Sequence, residues 1–127
     1  MTDLIEVRVS NLIGAALDWA VAMATDAAEL KIGEQGIVCI YETPNGGCWT
    51  NLYQPSTDWS QGGLLIDTYH GGLHYEAHLA DAAFRYSSGP GRSGFWCYGP
   101  TALIAFCRGL VKAKLGDTVQ VPKELMP

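Results

Sequence analysis

One stretch late in the sequence, "YGPTALIAFCRGLVKAKLG" (98–116), limits the fold more than any other. Proline suits the first position of a helix, and glycine commonly follows the last residue of one. Pro100 and Gly116 therefore mark a predicted helix over about 100–115. Apolar residues recur inside it at spacings of three and four, so that one face turns toward a core. These residues are Leu103, Ile104, Cys107, Leu110 and Val111.

A second helix is predicted over about 10–28. The segment "IEVRV" (5–9) before it alternates apolar and polar residues, which is typical of a half-buried strand. The hydroxyl of Ser10 is a suitable N-cap between this strand and the helix. The apolar stripe of the helix consists of Leu12, Ala16, Leu17, Ala20, Met23 and Ala24.

Short strands are predicted in much of the remaining sequence. The turn signal "PNGG" (44–47) between the strand-like segments 36–42 and 48–54 predicts a hairpin. "SSGPGRSG" (87–94) predicts a flexible loop, and no decisive pattern covers residues 70–94 as a whole. The expected fold is α+β, with a small mixed or antiparallel sheet packed against the two main helices. Further strands are predicted at 64–69, 95–98 and 118–122.

The composition fits one domain that spans residues 1–127 and buries a core. Hydrophobic residues make up 48% of the chain and charged residues 17%, which argues against disorder. The net charge of −5 argues against direct binding to nucleic acid or to an anionic membrane. No signal peptide or membrane-spanning stretch is visible, and the four cysteines form no C-x-x-C pair. We therefore expect a cytoplasmic protein with reduced thiols and no cofactor.

The segment "YQPSTDWSQGGLLID" (53–67) is the first candidate for a binding site. Ser56 or Thr57 can cap a turn, and the Asp58 carboxylate can accept backbone N–H bonds. Trp59 offers a flat face for a ligand or an anchor for a partner protein. The alternative, which is equally open, is that Trp59 fills the core while its neighbours hold the loop.

The start of the last helix is the second candidate. Backbone N–H groups near Thr101 lack intrahelical partners there, and the helix dipole favours an anion, although solvent or a loop satisfies most helix ends. Arg108 and Lys112 share a predicted exposed stripe further along the helix. The residues predicted to bind a small anionic ligand are Ser56, Thr57, Asp58, Trp59, Gln61, Gly62, Gly99, Thr101 and Arg108.

Three histidines, His70, His74 and His78, lie four residues apart, so either a helix or a strand would align them. They are weak candidates for a metal site. The glycines at 71–72 interrupt a helix, and the spacing is not the H-E-x-x-H of metalloproteases. An exposed polar face is the favoured interpretation, and no metal is assigned.

No catalytic residue is assigned. The sequence has no G-x-S-x-G elbow, and the glycine-rich "SGPGRSG" (88–94) lacks the lysine of a phosphate-binding loop. Asp58, Glu76 or a histidine could act as a general acid or base only where burial tunes its pKa. Binding is therefore favoured over catalysis.

Three stretches of the chain resemble the NinX-like proteins of tailed phages and prophages. They are "ALDWAVA" (16–22), "PSTDWSQGG" (55–63) and "YGPTALIAFCRGLVKAKLGDTVQVP" (98–122), and they spread over essentially the whole sequence. The segment between residues 68 and 95 shows no shared pattern. The resemblance implies a single NinX-like domain and a small accessory protein of the host cytoplasm, encoded among genes that do not specify parts of the virion.

The resemblance also implies that the loop at Asp58 and Trp59 adjoins the helix start at 99–101, with Trp19 or Trp49 nearby. Two kinds of partner suit such a face. One is a small anionic, nucleotide-like ligand, which a phage protein could hold to counter host defence. The other is a host or phage protein that is gripped through Trp59 and inhibited. An enzyme of unknown reaction is a third alternative, and a homo-oligomer stays open.

Overall fold

The computed structural model describes residues 3–25, 30–33, 36–42, 48–91 and 94–126. Helices in these ranges are α1 (Gly14–Ala24), α2 (Trp59–Thr68) and α3 (Ala102–Leu115). Strands are β1 (Leu4–Arg8), β2 (Leu30–Gly33), β3 (Gly36–Glu42), β4 (Cys48–Tyr53), β5 (Gly72–Tyr75), β6 (Tyr86–Gly89), β7 (Cys97–Gly99) and β8 (Thr118–Pro122).

The strands form small antiparallel sheets, which confirms the α+β class. β1 pairs with β8, so that Val7 lies opposite Val119. The other sheets have the orders β2-β3-β4 and β5-β6-β7. The predicted hairpin of β3 and β4 and the closing strand β8 are both confirmed. The predicted turn at 44–47 and the end of the first helix at 26–28 lie outside the described residues.

Helix α3 is the centre of the core. Every residue from Ala102 to Val111 is buried, not only the predicted apolar face. The helix packs against α1 and also against β6 and β7. A Cβ on Gly109 would lie 2.5 Å from the Ser88 carbonyl oxygen, so glycine lets the helix backbone lie directly on β6. The buried cluster consists of Val9, Leu12, Ala16, Leu17, Ala20, Val21, Ile104, Phe106, Cys107, Leu110, Val111, Val119 and Val121.

The predicted strand at 64–69 is wrong, because residues 64–68 belong to α2 and Tyr69 is its C-cap. The helix begins where the Asp58 carboxylate accepts a hydrogen bond from the Ser60 N–H, a local cap that outweighs the strand-like apolar run. One side of α2 packs on the body of the protein through Leu65 and Ile66. Leu64 on the other side is 68% exposed.

The predicted start of the first helix is also wrong. Ser10 lies in a short 3₁₀ helix, Val9–Asn11, and α1 begins at Gly14 with Ile13 as an N-cap that makes no side-chain bond. Pro100 likewise precedes the cap of α3, which is Thr101.

The segment between residues 70 and 94, which no decisive sequence pattern covers, contains β5 and β6, and the loop predicted at 87–94 is wrong for residues 87–89. Residues 86–89 form β6, the central strand of its sheet, between β5 and β7. Tyr75 and Tyr86 lie opposite each other in the register and meet edge to face with ring centroids 5.3 Å apart. The Ser88 hydroxyl donates a hydrogen bond to the Gly72 carbonyl oxygen. These cross-strand contacts hold a strand that is rich in glycine and serine.

Candidate functional site

The loop before α2 faces the start of α3, as the sequence predicts. Ser56, Thr57 and Trp59 border a pocket of about 200 Å³ against the first turn of α3. We call it the helix-start pocket. Trp59 is 58% exposed, so the alternative in which it fills the core is wrong. From α3 and its cap, the pocket is lined by Thr101, Ala102, Leu103 and Ile104.

Side chains from the predicted site cap both helices that meet at this pocket. The Asp58 carboxylate accepts hydrogen bonds from the Ser60 hydroxyl at 2.6 Å and from the Ser60 N–H at 2.8 Å. These bonds hold the pKa of Asp58 below its ordinary value, which keeps it charged at the start of α2 and makes it a weak base near neutral pH. Thr101 Oγ1 accepts from the Ile104 N–H at 3.2 Å, so α3 has a neutral cap.

Gln61 is engaged within the fold. Its side-chain nitrogen donates to the Leu52 carbonyl oxygen at 2.8 Å, and its side-chain oxygen accepts from the Gln54 N–H at 2.9 Å. The amide therefore ties the first turn of α2 back to the end of β4. Because both the nitrogen and the oxygen of the side-chain amide form hydrogen bonds with the backbone, a glutamine at this position is explained without a ligand.

The predicted site glycines permit close packing of the backbone. A Cβ on Gly62 would lie 2.6 Å from Leu103 Cδ2, and a Cβ on Gly99 would lie 2.6 Å from the Ala105 nitrogen. Neither position has room for a side chain. Gly62 brings α2 onto α3, and Gly99 brings β7 onto α3.

Asp18 belongs to the same region, although the sequence analysis did not select it. It lies in α1, is 4% exposed, and accepts a hydrogen bond from the Ser56 N–H at 2.9 Å. Burial raises the pKa of Asp18 from 3.8 to about 6, although the Ser56 N–H works in the opposite direction. A carboxylate in the middle of the apolar "ALDWAVA" was the signal that could have found it.

Arg108 does not line the helix-start pocket, and its predicted exposed position is wrong. The residue is 9% exposed. Its Nε donates to the Leu12 carbonyl oxygen at 2.8 Å, and its Nη1 donates to the Tyr98 carbonyl oxygen at 2.9 Å. Burial lowers the pKa of this guanidinium. No carboxylate of the described residues forms an ion pair with it.

Arg108 instead borders a larger cleft, which we call the aromatic groove. The groove encloses about 820 Å³, four times the helix-start pocket, and it is formed by the 3₁₀ helices Val9–Asn11 and Ala82–Phe84, the strand β7 and one side of α3. Its lining residues are Ser10, Asn11, Ile13, Ala82, Ala83, Phe84, Trp96, Cys97, Tyr98, Pro100, Arg108 and Lys112.

Three rings give the groove its aromatic character. Phe84 and Tyr98 meet edge to face, with ring centroids 5.7 Å apart and planes at 85°. Trp96 packs on the backbone of two strands, because a Cβ on Gly89 would lie 2.9 Å from its Cδ1 and a Cβ on Gly72 would collide with its six-membered ring. Phe84, Trp96 and Tyr98 nevertheless stay 46%, 37% and 48% exposed as whole residues. They are held in place and still present apolar surface to solvent.

The electrostatics of the groove are set by two cations. Lys112 lies one turn beyond Arg108 on α3, and its Nζ is 3.6 Å from Asp117 Oδ1. Burial raises the pKa of the Cys97 thiol in the groove wall, and the positive charges of Lys112 and Arg108 act against that rise. Two positive side chains thus line the groove in a chain whose net charge is −5.

Comparison with known proteins decides the family. Residues 8–114 match the family model described as Bacteriophage P22, NinX. The chain belongs to the NinX family. The resemblance predicted from the motifs is thus confirmed, and the match spans every lining residue of the helix-start pocket and of the aromatic groove. No curated protein matches the sequence.

The three stretches that carry the resemblance to the NinX family meet at Ser56. Its N–H donates to Asp18 of the first motif, and its own loop lines the helix-start pocket with Thr101 of the third. Trp19 is partly buried against the core and does not line this pocket. Cys39, Cys48 and Trp49 belong to β3 and β4, of which only the backbone is described at these positions.

The histidines of this NinX-family chain do not assemble. His70 follows α2 with a positive φ of 54°, His74 lies exposed on β5, and His78 Nδ1 is 3.5 Å from Glu76 Oε2. Glu76 itself accepts a hydrogen bond from the Ser87 hydroxyl at 2.7 Å. Among the described residues, no three metal-ligating side chains lie close enough together to hold an ion.

None of the helices in the described ranges is long and apolar enough to cross a membrane.

Cys97 and Cys107 are both buried free thiols. Burial also raises the pKa of Cys107, so neither described thiol has the lowered pKa of a nucleophile.

Proposed function

We propose that this protein binds a small anionic ligand with a planar ring, such as a nucleotide, in the aromatic groove. The observation that carries the proposal is the position of Arg108, a buried cation that borders the groove with only backbone carbonyls as described partners. A buried charge without a counter-charge is unfavourable, and an anion in the groove would compensate it.

The size and the rings of the groove support the same ligand class. Small-molecule sites usually enclose roughly 300–1,000 Å³, a range that includes the aromatic groove but exceeds the helix-start pocket. Exposed aromatic faces stack on bases, and a guanidinium or ammonium group pairs with phosphate. In a phage setting, such a protein would hold a nucleotide and thereby withdraw a signal of host defence.

The test compares two exposed tryptophans, one at each pocket. Affinity for a panel of nucleoside 5′-monophosphates is measured by calorimetry on the wild type, on Trp96→Ala and on Trp59→Ala. Loss of one base-stacking ring costs about 1–3 kcal/mol, so we expect Trp96→Ala to weaken binding by about fivefold or more. Trp59→Ala should leave the affinity within about twofold, since its ring does not border the groove.

The reverse pattern, with binding weakened only by Trp59→Ala, would place the ligand in the helix-start pocket. Absence of binding by every nucleotide of the panel would contradict the proposed ligand class. Far-UV circular dichroism on both variants separates a lost contact from a lost fold.

A protein partner is the second candidate function, and the exposed side of α2 favours it. Trp59 is 58% exposed and Leu64 is 68% exposed, so two large apolar side chains on one short helix face solvent. An aromatic anchor of this kind is typical of interface hot spots. A photo-crosslinking residue at position 64 in infected cells should then capture one specific protein, and the same residue at position 114 should not.

A further inference from the structure

A second, smaller pocket lies beside the aromatic groove. It encloses about 260 Å³ and shares Ser10, Cys97 and Lys112 with the groove. Its remaining lining residues are Arg8, Val9 and Asp117. We call it the annex. Because three residues belong to both linings, the annex and the groove are adjacent.

The annex is lined by Arg8 and Asp117 in addition to Lys112, whereas the charged residues of the groove are Arg108 and Lys112. Arg8 at the end of β1 and Lys112 on α3 line the annex from two separate elements. Asp117 is the acidic residue of the lining, and its carboxylate pairs with Lys112 at 3.6 Å. The Asp117 side chain is 82% exposed, and ion pairs of this kind contribute little and open readily.

The backbone fixes the positions of these charges. The Val9 N–H donates to the Asp117 carbonyl oxygen at 2.9 Å, which joins the end of β1 to the turn after α3. The Gly116 N–H donates to the Lys112 carbonyl oxygen at 3.0 Å and ends the helix there. Arg8 and Lys112 therefore extend from anchored backbone, so the cationic surface is formed before any ligand arrives.

We propose that the annex binds the phosphate of a nucleotide whose ring lies in the aromatic groove, with the phosphate taking the place of the Asp117 carboxylate at Lys112. This inference rests on the proposed function and specifies its ligand as a nucleoside phosphate. The ring stacks near Trp96, the sugar passes Ser10 and Cys97, and the phosphate lies between Arg8 and Lys112. Lys112 is one turn of α3 from Arg108, so the phosphate compensates the Arg108 charge at a distance and not by direct contact. A nucleoside without phosphate would occupy only the groove.

The experiment is a calorimetric comparison of nucleosides with their 5′-monophosphates. In the wild type, we expect the monophosphate to bind about tenfold more tightly than the nucleoside. This ratio of the two affinities should shrink as salt is raised. Lys112→Gln and Arg8→Gln should each reduce the ratio to about threefold or less. Arg8 does not border the groove, so Arg8→Gln should also leave nucleoside binding unchanged.

Lys114→Gln is the matched control on the same helix. Lys114 borders neither pocket, and its Nζ lies 5.2 Å from the centre of the Tyr69 ring. The control should keep the wild-type ratio. A loss of the ratio in Lys114→Gln as well would show a general charge effect and overturn the annex proposal.

The failures of the two proposals are distinguishable. A preference for the monophosphate that Lys112→Gln and Arg8→Gln both leave intact overturns the annex proposal and leaves the proposed function standing, since the anion then binds elsewhere in the groove. Equal affinity for nucleoside and monophosphate in the wild type overturns both proposals, because the proposed ligand is an anion. Binding of neither ligand overturns the proposed function, and the annex proposal falls with it. Binding of inorganic phosphate alone, with no added affinity from the nucleoside, overturns the role of the groove.

Discussion

The helix-start pocket and the aromatic groove both border α3, yet their polar groups are used differently. At the helix-start pocket, Asp58 and Thr101 accept backbone N–H bonds and cap their helices. In the groove, Arg108 is buried and forms no ion pair with a carboxylate of the described residues, and three aromatic residues beside it are exposed. A cluster of polar residues in a sequence can serve chiefly to hold the fold, whereas a buried charge without a counter-charge is the stronger sign of a ligand.

The largest expected effect comes from Arg108→Met, which tests whether the guanidinium is also structural. The substitution leaves the buried Leu12 carbonyl oxygen without its donor and removes a second bond to Tyr98. We expect the free energy of unfolding in urea to fall by roughly 2–4 kcal/mol. Arg8→Met, at an exposed position, should stay within about 0.5 kcal/mol. An Arg108→Met variant as stable as the wild type would mean that the unpaired charge offsets its own hydrogen bonds.

The second prediction concerns the pH dependence of stability at the helix-start pocket. The pKa of Asp18 is about 6 in the folded protein and 3.8 ordinarily, so the folded state binds more protons than the unfolded state between these values. The free energy of unfolding should therefore rise as the pH falls from about 7 to about 4, by roughly 2–3 kcal/mol from this group.

Asp18→Asn isolates this contribution, because asparagine can still accept from the Ser56 N–H but does not titrate. The other carboxylates titrate alike in both proteins. The unfolding free energy of the wild type minus that of Asp18→Asn should therefore increase by roughly 2–3 kcal/mol as the pH falls from 7 to 4. A difference that stays constant from pH 7 to pH 4 would show that Asp18 does not carry a raised pKa.

The third prediction uses two neighbouring glycines of α2. Alanine at Gly62 would meet the Pro55 carbonyl oxygen and Leu103, so Gly62→Ala should lower the unfolding free energy by about 1–3 kcal/mol. A Cβ at Gly63 meets only the Trp59 ring at 3.9 Å. Gly63→Ala should therefore raise stability by about 0.5–1 kcal/mol through helix propensity. Thermal or urea unfolding measures both, and equal effects would contradict the close packing of α2 on α3.

Much of the fold was predictable, because local patterns and tertiary packing agree. The periodicity of residues 102–115 and the alternation of 5–9 gave α3 and β1 nearly in place. The prediction of a strand at 64–69 is wrong because Asp58 was interpreted as a residue that holds a loop, whereas it caps the start of α2. β6 was missed because its four residues, "YSSG", are held by cross-strand contacts that no local pattern contains.

The candidate site was predictable only in part. The motifs at 56–59 and at 101 do adjoin, and their shared family supplied that expectation. The separation of Arg108 from them depends on which side of α3 the residue faces, and periodicity alone does not place that side when the whole helix is buried. The aromatic groove joins Phe84, Trp96 and Tyr98 through the pairing of short strands, which the sequence left undecided.

The smallest effect on stability is expected from Asp117→Asn, which also sharpens the contrast between the two pockets. The Lys112–Asp117 pair is exposed, so its loss should change the unfolding free energy by less than about 0.5 kcal/mol. If a phosphate takes the place of the Asp117 carboxylate, removing that competing charge should strengthen nucleoside monophosphate binding by about threefold to tenfold and leave nucleoside binding unchanged. Calorimetry measures both affinities. Weaker monophosphate binding in Asp117→Asn would mean that Asp117 positions Lys112 for the ligand rather than competing with it.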